Sequence, residues 1–295
     1  MPNTKTIHVP HLGGIDAAYQ MPKEYDPAKP TVVLVNAFTA TSELYRQQFD
    51  DPQLSAKVNL VAIELLGHGQ TRTSSEQWTY WDTAEMNLQV LNALGIAKAF
   101  VLGTSQGGWV TVQMALLRPD MIAGIIPLGT SMDAESDRSR KLDCWDGQSI
   151  VSGFVNQWTV SKPVPNFEPG DDYCDALIGV GFNECSAEVH DFWRDSIKSN
   201  YRGDDGRRQL RMAAINLAER GSMHLRLPDV RCPVLWLHGT KDVVFSSANA
   251  AEEIKLFTQS QDARLVTIDG GAHFLNCTHP TEVNSAVVEF VNKYQ

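Results

Sequence analysis

Positive charge is scarce in this chain. Its 295 residues carry 25 Lys and Arg against 35 Asp and Glu, a formal net charge of −10. That balance argues against a nucleic-acid partner, whose phosphates require clustered basic side chains. The densest basic stretch, Arg207-Arg208-Gln209-Leu210-Arg211, is short, follows the acidic Asp204-Asp205, and reads as the solvated start of a helix. Long apolar runs are missing too. None approaches the roughly 20 residues a membrane span needs, and the opening MPNTKTIHVPHLGG lacks the apolar core of a signal peptide. The five cysteines are odd in number and show no C-x-x-C spacing. They offer neither a disulfide frame nor a zinc site and fit reduced thiols in a cytoplasmic protein. Histidine pairs at H-x-x-x-H spacing are also lacking, so neither a metal nor a cofactor is expected.

What is present is an alternation of two patterns. TIHVP and IDAAYQM read as an opening pair of strands, and TVVLVNAF and VNLVAIEL as strands buried on both faces. DTAEMNLQVLNALG has helical spacing and a terminating Gly95; AFVLG follows as a strand, WVTVQMALLRP as a helix, and IAGIIPLGT as another strand. From about Ser131 to Leu227 strands of this kind disappear. Helical pieces replace them: SIVSGFVNQW, DDYCDALIGVGF, SAEVHDFWRDSIKSNY and RRQLRMAAINLAERG. The alternation resumes with PVLWLHG, SSANAAEEIKLFTQ, ARLVTID and TEVNSAVVEFVNKY. The expected architecture is α/β, a mostly parallel sheet flanked by helices. Residues 1–130 and 229–295 would form the core, and 131–228 an inserted helical cap or lid.

One short segment carries the chemistry. In FVLGTSQGGW an apolar strand meets Gly103-Thr104-Ser105-Gln106-Gly107 and turns into a helix. Strand, G-x-S-x-G, helix is the context in which a strained turn lifts a serine out as a nucleophile. The bland reading is a tight turn with Ser105 capping the helix. A serine nucleophile needs a general base oriented by a third group. Downstream, LWLHGTKDVVF carries Asp242 and LVTIDGGAHFLN carries His273, each just past a strand, where open α/β sheets place their ligands. Asp133 and Glu135, which follow IAGIIPLGT, are the alternatives to Asp242.

With VVLVNAFTA, VAIELLGHGQT, VLGTSQGGWVTVQMALLRPD, DVRCPVLWLHGTKDVV and GGAHFLNCTHPTEV in view, the chain resembles the α/β-hydrolase fold superfamily over nearly all of its length outside 131–228. The resemblance implies Ser105 as nucleophile, His273 as general base and Asp242 as the acid that orients it. It also implies an oxyanion hole from the backbone amides of Phe38 and Gln106. At one point the chain departs from the family pattern: Asn36-Ala37 stands where His-Gly is usual. His68, in LLGHGQT, is read as structural.

The expected activity is hydrolysis of an ester or lactone of a small hydrophobic substrate through an acyl-enzyme on Ser105. A hydrolase of carbon–carbon bonds beside a ketone would use the same triad. A small-molecule receptor that retains the triad is the reading from another class. Trp109, Phe274, Trp158 and Phe154 are the candidate substrate-binding residues, the latter two among many aromatics of the insertion. The chain is expected as a monomer or homodimer.

Overall fold

The computed structural model describes residues 3–295. Among them, nine strands form one sheet: β1 (Lys5–Val9), β2 (Ile15–Gln20), β3 (Thr31–Val35), β4 (Asn59–Ile63), β5 (Arg72–Thr73), β6 (Ala99–Thr104), β7 (Ile122–Leu128), β8 (Val234–Gly239) and β9 (Ala263–Ile268). The order is β1-β2-β4-β3-β6-β7-β8-β9, with β5 paired to β2. β2 pairs antiparallel with each of its neighbours, while every pairing from β4 to β9 is parallel. The short α-helices α1 (Arg46–Phe49) and α2 (Pro52–Lys57) precede β4, and α3 (Tyr80–Ala93) and α4 (Gln106–Leu117) flank β6. α10 (Ser247–Glu253) lies between β8 and β9, and α11 (Leu275–Thr278) and α12 (Pro280–Tyr294) follow β9.

Strand periodicity sorts the core into two layers. Val32, Leu34, Leu60, Phe100, Leu102, Leu235 and Leu237 point to one face, and Val33, Val35, Val61, Val101, Val234 and Trp236 to the other. Alternate residues of a strand must face opposite ways, so a run apolar at every position is buried on both sides. α4 lies on the second face through Trp109, Val110, Val112 and Met114, and α12 lies on the first through Val283, Val287 and Phe290.

Between β7 and β8 the chain leaves the sheet for five helices: α5 (Asp137–Lys141), α6 (Gly147–Trp158), α7 (Asp171–Phe182), α8 (Ala187–Asn200) and α9 (Gly203–Glu219). α6 packs along α9, and α7 along α8. Their apolar sides, including Ile178, Trp193, Ile197, Leu210 and Leu217, join the first layer of the core. The basic run at the start of α9 is not wholly solvated. Arg207 is buried, paired with Asp204 at 2.8 Å, and donates to the Trp158 carbonyl. Pairing and a main-chain acceptor make its burial tolerable.

Candidate active site

β6 ends at Thr104 and α4 begins at Gln106, so Ser105 alone makes the turn. Its backbone takes φ 54° and ψ −115°, a conformation that costs a non-glycine residue on the order of 1–3 kcal/mol. The surroundings hold it there. Ser105 N–H donates to Leu128 O on β7 at 2.8 Å. A Cβ on Gly103 would lie 2.1 Å from Gly107 O, and one on Gly107 2.1 Å from Val35 O. The two glycines are therefore required by the close approach of backbone to backbone, which lets α4 start directly beneath the serine.

The candidate base and acid come from the loops after β9 and β8. His273 Nδ1 and Asp242 Oδ2 are 2.9 Å apart, with side chains 5% and 0% exposed. The other carboxylate oxygen of Asp242 accepts from the amides of Val244, at 2.8 Å, and Phe245, at 3.0 Å. Burial by itself raises the Asp242 carboxyl. The charge and hydrogen bond of His273, with His238 and the Phe245 amide, outweigh burial and hold it below the usual aspartate range. His238 Nε2 donates to Phe245 O at 2.8 Å and lies 3.6 Å from Asp242 Oδ2. Gly129, φ 51°, lets this arrangement close, since a Cβ there would stand 2.5 Å from His273 O.

Neither alternative acid meets His273. Asp133 binds the Ser136 hydroxyl at 2.5 Å, and Glu135 pairs with Arg220 at 2.6 Å and accepts from Trp145 Nε1 at 3.1 Å. Asp133 belongs to a group invisible in the sequence spacing: with His224 and Glu253 it places ligand-type atoms within 4.8 Å of one another. Arg138 lies 3.9 Å from Asp133 and 4.0 Å from Glu253, and His224 bonds Glu253 at 2.8 Å. The carboxylates already have their counter-charge.

Asn36 takes over the loop after β3. Its Oδ1 accepts from Leu65 N–H at 2.9 Å, and its Nδ2 donates to Ala40 O at 2.6 Å and to Ala37 O at 3.2 Å. The carboxamide thus staples the 36–40 turn to the end of β4. Thr39 inside that turn has φ 56° and donates to Phe38 O at 2.8 Å. Behind the serine, Thr104 joins Tyr45 and Asn276 through hydrogen bonds of 3.1 Å each. His68 is fully buried and edge-on to Phe38 and Tyr201.

Ser105, His273, Phe38 and Phe274 line one cavity of about 50 Å³. Apart from Thr39, the rest of its wall is apolar and comes largely from the insertion, with Trp145, Ile178, Phe182, Trp193 and Leu217 prominent. The end of α7 is bolted over the base: Phe274 N–H donates to Gly181 O at 2.7 Å, and Asn183 Nδ2 to Lys241 O at 2.8 Å. Gln106 follows the serine at the first position of α4, where its amide faces outward from the helix N-terminus.

The other three expected binding residues stand elsewhere. Trp109 belongs to the opposite layer of the core, edge-on to Tyr80 and with the Arg220 guanidinium 4.9 Å above its ring. α4 lies across that face, so the residue one turn beyond the serine points away from the cavity. Trp158 and Phe154 stack on each other with centroids 5.5 Å apart and pack edgewise on Tyr173. They form the interior of the insertion and do not line the cavity of Ser105. A larger groove of about 1250 Å³, walled by Trp78, Trp81, Trp109, Arg208, Met212 and Asn216 among others, holds none of Ser105, Asp242 and His273.

Comparison with known proteins places the fold. Residues 30–280 match the family model of the alpha/beta hydrolase fold, and the chain belongs to that family. The dihydrolipoyllysine-residue acetyltransferase component of the acetoin cleaving system of Pseudomonas putida is 23% identical over 89% of this chain, which spans 64% of that relative's length. Among solved structures, a thermophilic esterase from Thermogutta terrifontis superposes with a TM-score of 0.78 at 20% identity, covering 98% of this chain and 99% of that one. The enol-lactonase of Burkholderia xenovorans LB400 gives 0.76 at 18% identity, covering 97% and 100%. Among the described residues, no helix is long and apolar enough to cross a membrane, and all five cysteines are free.

Proposed function

We propose that the chain is a serine hydrolase that cleaves an ester or lactone of a small, uncharged, hydrophobic substrate. One observation carries the reading. A serine in a strained strand-to-helix turn shares an apolar-walled cavity with a histidine whose far nitrogen is held by a buried carboxylate.

In this scheme His273 Nε2 takes the proton of Ser105 Oγ as the oxygen attacks the substrate carbonyl. Asp242 keeps Nδ1–H in place and stabilises the imidazolium that forms. The amides of Phe38 and Gln106, aided by the N-terminal end of α4, receive the oxyanion. The tetrahedral intermediate expels the alcohol, which takes the proton from His273. Water enters, gives its proton to the same histidine and releases the acid, regenerating Ser105. Residues 131–228 serve as the cap that closes the site and excludes water.

The cavity wall favours an uncharged substrate. It includes no Lys, Arg, Asp or Glu side chain, and a buried unpaired carboxylate or ammonium on the substrate would lose its solvation with nothing in return. The esterase and lactonase among the structural neighbours are consistent with the reading but share only the fold at this identity.

The test is hydrolysis of p-nitrophenyl esters by wild type and Ser105→Ala, with intact mass after exposure to a fluorophosphonate. Wild type is expected to turn over and gain one adduct, and the variant to do neither. Labelling with only a single turnover would point to the receptor reading. A wild type that neither labels nor turns over sinks the proposal.

A further inference from the structure

We infer that Trp145 sets the length of the acyl group the cavity accepts, favouring short acyl esters, and that the buried Glu135–Arg220 pair holds it in place. The inference rests on the serine-hydrolase reading above and assigns the specificity of the same site.

The chain enters the insertion through residues 131–146 and leaves it through 220–233, and Glu135 and Arg220 sit on these two strands of traffic. Their side chains are 2% and 6% exposed and 2.6 Å apart. Glu135 has φ 56°, a strained backbone that turns its carboxylate inward. That carboxylate accepts from Trp145 Nε1 at 3.1 Å and from Gln148 N–H at 2.9 Å. Trp145 is also pinned by its main chain, whose N–H donates to Val244 O, two residues beyond Asp242, at 2.8 Å. Gly147 leaves the indole no space to retreat, because a Cβ there would lie 2.6 Å from the ring. On the other side, Arg220 donates to the carbonyl of Leu217 and rests on Trp109.

Trp145 and Leu217 both line the cavity of Ser105 and His273. One ion pair therefore ties together two walls contributed by opposite ends of the insertion. A buried pair is a poor source of net stability, since desolvation offsets attraction. It is a good source of position, because both partners have fixed hydrogen-bond directions. The space beside Ser105 is about 50 Å³. At about 10–15 Å³ per water-sized group, that space takes roughly three to five heavy atoms, the size of an acetyl to butyryl group. Trp145 is one of the bulkiest side chains on the cavity wall, so removing the indole would enlarge that space.

The experiment compares p-nitrophenyl acetate, butyrate and octanoate, and labelling rates with ethyl- and octyl-substituted fluorophosphonates. In the labelling step Ser105 Oγ bonds to phosphorus, fluoride leaves and His273 takes the proton. The proteins are wild type, Ser105→Ala, Trp145→Ala, Trp145→Phe, Glu135→Ala and Glu135→Gln. Wild type is expected to prefer the short chains in kcat/KM. Trp145→Ala should raise the octanoate-to-acetate ratio about tenfold or more, the scale of pocket-size discrimination. Glu135→Ala should move the ratio in the same direction, and Glu135→Gln, which keeps an oxygen for the indole N–H, should bring it back toward wild type. A merely structural pair would lower melting temperature and leave the ratio alone.

Parallel chain-length profiles across the Trp145 and Glu135 variants, with wild type active, overturn this inference and spare the hydrolase reading. Should Trp145→Ala fail to fold, Trp145→Phe and Glu135→Gln decide by the same ratio. A wild type that neither labels nor turns over removes the hydrolase reading, and this inference with it.

Discussion

His273 Nδ1 lies 2.9 Å from Asp242 Oδ2, although 31 residues separate the two and each comes from its own loop. Both side chains are out of solvent, so the pair is neither screened nor free to wander. Asp242→Asn should fold and lower kcat by about 10⁴, the cost of the wrong histidine tautomer in a triad. Asp133→Asn should leave turnover within a few-fold. Steady-state kinetics with one ester checks both, and the reverse ranking would show that the acid has been misassigned.

Asn36 offers a second test. Asn36→Ala leaves the Leu65 amide and the Ala40 carbonyl without their partner, at about 1–3 kcal/mol of stability. If the turn also aims the Phe38 amide, kcat should fall by up to about 10²–10³ with KM little changed, the effect of losing one oxyanion donor. Urea unfolding and steady-state kinetics on the same variant separate the two effects. A stability loss with kcat intact would remove Phe38 from the oxyanion hole.

Gly107→Ala should be among the most damaging single-methyl additions in the chain. The new Cβ would stand 2.1 Å from Val35 O, a main-chain atom in the middle of the sheet that cannot move aside. Overpacking of this kind costs typically about 1–3 kcal/mol and at times more. Gly153→Ala is the control, since nothing lies within 4 Å of its Cβ. Melting temperatures of the pair check the contrast, and equal values would mean that the elbow yields more easily than its packing suggests.

His68 makes stability depend on pH. Burial lowers its pKa from 6.5 to about 4, despite the opposing hydrogen bond to Leu66 O. Between those values the unfolded chain takes up a proton that the folded chain refuses, so this stability is present above 6.5 and lost as pH falls toward 4. The size is about 3 kcal/mol across the window. Denaturant unfolding near neutral pH and near pH 4.5 should show the loss in wild type and a flatter profile in His68→Gln. An equally steep variant would assign the dependence to another group.

Much of this was legible beforehand, for identifiable reasons. The elbow is local: strand, G-x-S-x-G and helix are contiguous, so Ser105 could be named from ten residues, while Gln106 came with the family resemblance. Asp242 and His273 could be named because parallel strands place their following loops on one edge of the sheet. Trp109 is set by packing and not by local pattern. Its distance from Ser105 along α4 was known, but which layer of the core receives that side of the helix depends on how α4 lies across the sheet. Trp158 and Phe154 failed for a related reason. An aromatic on an amphipathic helix can face a cavity or another aromatic, and here Tyr173 claims both.

Glu135 shows the same limit from the other side. Its place after a strand made it a candidate acid, yet its partner is Arg220, 85 residues away. What the sequence by itself determined is the alternation of buried strands and helices, and with it the sheet, its carboxyl edge and the residues set along that edge. Hydrophobic period and local turn chemistry suffice for that. Only the tertiary structure decided which aromatics reach Ser105, which carboxylate meets His273, and how much space lies between them. Those are contacts between segments distant in the chain, governed by helix orientation and side-chain packing, and no local pattern encodes them.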